Sequence, residues 1–169
     1  MRTLWSLVTT VGGRCGVALA VTVIGARAVE HLSAEELVEV FEAYVLPFAV
    51  SGAHFYLGGA VGVDTAALDW LAAASKADVS VVVPRTVRDQ PDEAADVIVK
   101  WREAGRLAEV VELDTDEVGT DGYLERNRWM VDRSELVIGF PRSGDQGSGT
   151  GYTLGYAASK GKALLVVPI

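Results

Sequence analysis

Two glycine-rich stretches, Gly58-Gly59-Ala60-Val61-Gly62-Val63-Asp64 and Gly147-Ser148-Gly149-Thr150-Gly151, have the composition of loops that hold phosphate, and each leads into a helical pattern. Glycine lets an anion reach the backbone without meeting a Cβ, while the unpaired N–H groups and dipole of a helix start favour its negative charge. Glycines serving only tight strand-to-helix turns would account for either stretch taken alone. Both together, with Gly25-Ala26-Arg27 and Pro84-Arg85 following two other strand-like runs, make a binding crevice the better account. Asp64 fits less well, because a carboxylate at a helix start repels phosphate but serves as an N-cap. Capping is the preferred reading for it, and a contact with a ribose hydroxyl or a base N–H is the alternative.

The segment Tyr123-Leu124-Glu125-Arg126-Asn127-Arg128-Trp129-Met130 is dense in guanidinium groups. Residues two apart on a helix point in different directions, so at most one of Arg126 and Arg128 enters the crevice, and the other pairs at the surface. Asn127 lies between them. Trp129 and Met130, like Trp5, Trp70 and Trp101, read as core or interface residues.

The elements that must position these residues alternate along the chain. Strand-like runs cover Ala18–Gly25, Phe55–Gly58, Val79–Val83, Ala108–Glu112, Glu135–Phe140 and Ala163–Val167. They lack period-2 alternation, as strands buried on both faces do. Ser33-Ala34-Glu35-Glu36 is a capping box opening a helix that ends by Pro47. Further helices are expected over about 63–76, 92–104, 123–133 and 150–160, with Gly105 and Gly161 at C-cap positions and 114–121 as an acidic surface loop. The expected fold is α/β, a Rossmann-like three-layer sandwich with a mostly parallel central sheet. Residues 1–16 read as an N-terminal arm or extra strand, and 17–169 as one nucleotide-binding domain. In such a sheet the ligand lies beyond the carboxyl ends of the strands, where all four segments fall.

Composition narrows the classes. The 169 residues are 50% hydrophobic and 22% charged, enough to bury a core. With 23 acidic against 15 basic residues the net charge is −8, which argues against nucleic acid unless basic groups are concentrated locally. Cys15 is the only cysteine and there are two histidines, His31 and His54, so neither a disulfide nor a zinc site is expected. The apolar runs 4–11 and 17–24 are broken by Gly12–Gly16 with Arg14 among them, too short to span a membrane. The expectation is a cytoplasmic homo-oligomer without cofactor or metal.

The run from Gly58-Gly59 to Asp64 and Trp70, then Arg126-Asn127-Arg128 to Met130, then Gly149-Thr150 resembles the SLOG superfamily of Rossmann-like proteins over roughly residues 20–169. That superfamily includes YspA-like proteins, the DNA-processing protein A branch and the lonely-guy phosphoribohydrolases. Gly58 to Ala67 is most similar to the YspA-like pattern, with Val61 where that branch carries a basic residue. The resemblance implies a nucleotide or nucleotide-derived ligand, bound or sensed by Gly25, Arg27, Gly58, Gly59, Gly62, Asp64, Arg85, Arg126, Asn127, Gly147, Ser148, Gly149, Thr150 and Gly151. The phosphoribohydrolases carry a glutamate three places after Gly-Thr, and here that position is Thr153. Without that carboxylate, N-glycosidic hydrolysis of a nucleoside monophosphate ranks second, unless Asp64, Glu125 or Asp145 replaces it. Single-stranded DNA binding, the work implied by the DNA-processing branch, ranks third because of the acidic charge.

Overall fold

A computed structural model describes residues 18–115, 119–144 and 148–169. The proposed arm at 1–16, with Trp5 and Cys15, and Asp145 and Gly147 lie outside these residues. The described chain forms β1 (Ala20–Gly25), α1 (Ala34–Tyr44), β2 (His54–Leu57), α2 (Val63–Ala74), β3 (Asp78–Val83), α3 (Asp92–Glu103), β4 (Glu109–Glu112), α4 (Thr120–Asp132), β5 (Leu136–Phe140), α5 (Gly149–Ser159) and β6 (Ala163–Val166). Short 3-10 turns at Leu46–Phe48 and Val87–Asp89 were not foreseen.

All six strands run parallel in the order β4-β3-β2-β1-β5-β6. The sandwich is therefore Rossmann-like, and its sheet is wholly rather than mostly parallel. The central strands are closed on both faces, which explains their unbroken apolar runs. Val21, Val23, Phe55, Leu57, Val79 and Val81 face a core built with α1, α2 and α3. Ile24, Val82 and Val137 face a smaller one built with Met130, Val131 and Ala157 of α4 and α5. On that second side Thr22 is buried and shares a 2.8 Å hydroxyl contact with Ser134.

Local signals place the helices. Glu36 N–H donates to Ser33 Oγ at 3.2 Å and Ser33 N–H to Glu36 Oε2 at 2.8 Å, closing the capping box of α1. Gly105 and Gly161 follow α3 and α5 with φ of +67° each. α4 begins at Thr120, three residues before its expected start, so the end of the supposed acidic loop is helix. Asp121 in that first turn suits the positive end of the helix dipole. Among the described residues no helix is long and apolar enough to cross a membrane.

Strand order reverses at β1: β2, β3 and β4 extend to one side, β5 and β6 to the other. Between the carboxyl ends of β1 and β5 the connections leave in opposite directions and a crevice must open. The strands beneath it are held in register by Gly25 opposite Phe140 and by Ala26 N–H donating to Phe140 O at 2.9 Å.

Phe41 of α1 ties the floor to its helices, with its ring 5.8 Å from those of both Trp70 and Phe140. Truncation to Phe41→Ala should cost about 3–5 kcal/mol, the usual loss for a fully buried phenylalanine. Urea denaturation measures this, and a loss below about 1 kcal/mol would show that the ring does not anchor α1.

Candidate functional site

A cleft of about 630 Å³ opens at the strand-order reversal. The chain after β1 (Gly25 to Ala28), the first two turns of α4, Arg142 after β5 and the start of α5 form its walls. Of the residues singled out in the sequence, Gly25, Arg27, Asp64, Arg126, Asn127, Ser148, Gly149 and Thr150 line it. Gly58, Gly59, Gly62, Arg85 and Gly151 do not. Arg85 is exposed and lies near Asp89, whose carboxyl is lowered from its ordinary value by the hydrogen bonds from the Thr86 hydroxyl and amide, with Arg85 a lesser contribution. Gly151 spends its N–H on Ser148 Oγ, the N-cap of α5, at 3.2 Å.

The loop Gly58–Gly62 packs closely against the rest of the protein. A Cβ on Gly58 would overlap the Arg126 guanidinium and stand 2.6 Å from Asp64 Oδ2. Gly62 has φ of +82°, and a Cβ there would collide with the Ala26 and Arg27 carbonyls. Thr65 Oγ1 donates to Ala60 O at 2.6 Å and fastens the loop from inside. The glycines here answer to close packing, and only Ala60 of the loop reaches the cleft.

What they pack around is an ion pair. Asp64 and Arg126 are 5% and 3% exposed, with Arg126 Nη1 4.0 Å from Asp64 Oδ2. Asp64 is the second residue of α2, whose N-cap is Gly62, so the expected capping role is not the one it plays. Its carboxylate instead accepts from the backbone of Ala60 and Gly58. Burial pushes the Asp64 carboxyl above the ordinary carboxylate value, against the opposing pull of Arg126. Burial likewise lowers the Arg126 guanidinium from its usual value, with Asp64 opposing. At 4.0 Å attraction does not offset lost hydration. Arg126 Nη1 also donates to Val82 O at 3.4 Å, while Nε is buried with no protein partner.

As the two-residue spacing requires, Arg126 turns in and Arg128 turns out, where Arg128 binds the Tyr152 hydroxyl. Tyr123, one turn before Arg126, has Arg27 4.6 Å and Arg126 5.4 Å from its ring centroid, both within cation–π reach. Arg27 and Arg142 are exposed at the cleft. Arg142, Tyr123 and Thr120 were missed in the sequence. Arg142 follows a strand as Arg27 does, and the same rule would have found it had the glycine stretch just beyond not drawn attention first. Thr153, at the hydrolases' glutamate position, is buried and outside the cleft wall. Of the replacement carboxylates, Asp64 lines the cleft, Glu125 is exposed and not among the lining residues, and Asp145 lies outside the described residues.

The sequence model of the family described as DNA recombination-mediator protein A matches residues 11–169, so the match begins within the supposed arm. A comparison with curated proteins returns no match. Among solved structures, DNA processing protein A from Helicobacter pylori, described for its single-stranded DNA binding mode, superposes with a TM-score of 0.65 at 23% identity, covering 89% of this chain and 66% of that one. DNA processing protein A from Streptococcus pneumoniae gives 0.68 at 18% identity, covering 90% and 51%. The chain thus spans between half and two thirds of these proteins. These matches correct two expectations: a small nucleotide-derived ligand as the main partner, and nucleic acid as an unlikely one, ranked third on charge. Net charge is a sum over the whole surface, whereas among the described residues the charged groups lining the cleft are three arginines and one buried aspartate.

The raised Asp64 carboxyl has a sign that can be tested. Above the ordinary carboxylate pKa of about 4 the unfolded chain has released this proton while the folded chain still holds it. Stability from this group is therefore full below that pH and declines as pH rises through the raised value. Urea titrations of wild type and Asp64→Asn from pH 4 upward should show the difference in unfolding free energy moving against the wild type as pH increases. A constant difference would refute the assignment.

Proposed function

Because the chain belongs to the DNA recombination-mediator protein A family, we propose that it binds single-stranded DNA, with the phosphate backbone crossing the cleft between β1 and β5. The observation that carries this reading is the local charge: among the described residues, Arg27, Arg126 and Arg142 line the cleft against Asp64. Phosphate contacts supply most sequence-independent affinity for nucleic acid, and a few well-placed guanidiniums suffice for a short stretch of strand. The DNA-binding mode described for the Helicobacter pylori protein supports the same ligand class.

The remaining cleft groups fit that chemistry. Gly149 and Thr150 open α5, where backbone N–H groups and the helix dipole attract an anion. A Cβ on Gly149 would meet nothing within 4 Å, so internal packing does not demand glycine there, in contrast to Gly58. Its bareness leaves room for a phosphate to approach the backbone. Tyr123 offers an aromatic ring beside two guanidiniums, a surface on which a base can stack at about 1–3 kcal/mol. Arg27 and Arg142, exposed at the cleft, meet the backbone in solvent. Arg126 adds its field from beneath.

Fluorescence anisotropy with a labelled oligothymidylate tests the reading. Binding should weaken with salt, the log–log slope being roughly −0.7 for each phosphate neutralised on a single strand. Arg27→Ala and Arg142→Ala should each reduce affinity several-fold and flatten that slope by about one such increment. Gly149→Val should lose affinity with its urea midpoint unchanged. Salt-independent binding, or arginine variants indistinguishable from wild type, would sink the proposal.

A further inference from the structure

We infer that Thr153 is a positioning residue for this cleft, its buried hydroxyl setting the distance between the cationic wall on α4 and the amide wall at the start of α5; the inference rests on the DNA-binding reading above. Thr153 is 1% exposed. Its Oγ1 accepts from Asn127 Nδ2 at 2.8 Å and donates to Gly149 O at 2.7 Å. One hydroxyl thus uses a lone pair toward α4 and its proton toward α5.

A threonine donating to the carbonyl four residues earlier is common in helices and by itself signals nothing. The bond from Asn127 is what distinguishes this one. Asn127 adjoins Arg126 on α4, and Gly149 is the first residue of α5, so the relay joins the two walls that would hold neighbouring phosphates. The other side-chain links between these helices, Arg128 to Tyr152 and Asp132 to Tyr156, are exposed. Exposed links exchange readily with water and fix geometry weakly. A buried hydroxyl with both partners satisfied has no such alternative, and binding groups must be held to about half an ångström to act together. The residue that in related hydrolases is the acidic catalyst here has its hydrogen-bonding capacity committed to holding the loop.

Because Thr153 does not line the cleft, replacing it removes no contact with the strand. Thr153→Val keeps the shape and deletes both bonds, whereas Thr153→Ser keeps the hydroxyl. Oligothymidylate affinity should fall about tenfold in the valine variant, a loss of the size expected for one buried hydrogen-bonding group. Its salt slope should be unchanged, since the arginines remain, and the serine variant should bind within about twofold of wild type. Without DNA, the backbone amide resonances of Gly149, Thr150 and Gly151 should shift in Thr153→Val and return in Thr153→Ser. Wild type that fails to bind overturns the DNA reading. Wild type that binds, with valine equal to it or serine as weak as valine, overturns the positioning role alone. Should the valine variant lack a cooperative thermal transition, Asn127→Ala decides by the same amide resonances, and unshifted resonances refute the relay.

Discussion

A buried ion pair organises the carboxyl end of this sheet. Asp64 from α2 and Arg126 from α4 belong to helices on opposite faces, and they meet over the strand ends. Neither charge is well compensated by the other at 4.0 Å, so the surrounding backbone must do the rest. The loop after β2 is therefore glycine-rich: its amides turn toward the Asp64 carboxylate and its missing side chains leave space for the guanidinium. Removing either partner alone would strand a charge in the interior, the most costly arrangement for such a pair. The pair also holds the second turn of α4, which carries Tyr123 and Asn127 beside Arg126, against the strand ends.

Among the described residues, the charge lining the cleft is opposite in sign to that of the molecule. The chain totals −8, yet the described charged groups at the cleft are three arginines and one aspartate. Much of the acidity sits on exposed faces such as Glu35 and Glu36 at the start of α1 or Asp92 and Glu93 at the start of α3, where it stabilises helix dipoles. Such placement is a requirement of the fold and carries no information about the ligand. A charge total mixes these two populations, and this is why it pointed away from nucleic acid.

The fold was legible because it depends on local signals. Runs such as Ser80-Val81-Val82-Val83 and the Ser33–Glu36 capping box need no tertiary context to be read, and element ends differ from expectation by at most three residues. The site was half legible. Arg27, Arg126, Asn127 and Ser148 to Thr150, singled out in the sequence, line the cleft at the carboxyl ends of the strands. Gly58, Gly59 and Gly62 were assigned to ligand because a glycine that admits a phosphate and one that admits a neighbouring arginine look alike in sequence. The two are told apart only by what a Cβ would touch. Arg85 does not line this cleft because β3 ends two strands away from the reversal, and strand order, which depends on contacts distant in sequence, could not be read.

The pairing of β1 with β5 governs when the cleft comes into being. These strands lie side by side although Ala20 and Glu135, whose side chain accepts from the Ala20 amide, are 115 residues apart. Closing so long a loop is entropically slow compared with the neighbouring β1-α1-β2 and β2-α2-β3 units, which form from contiguous chain. On a ribosome, where the amino-terminal part folds first, the sheet from β1 to β4 can assemble while β1 still presents an unpaired edge. Arg27 would then stand alone, with neither Arg142 nor the start of α5 beside it. The cleft exists only once the last fifth of the chain has been threaded in, so a nascent or truncated chain carries most of the core and none of the complete channel.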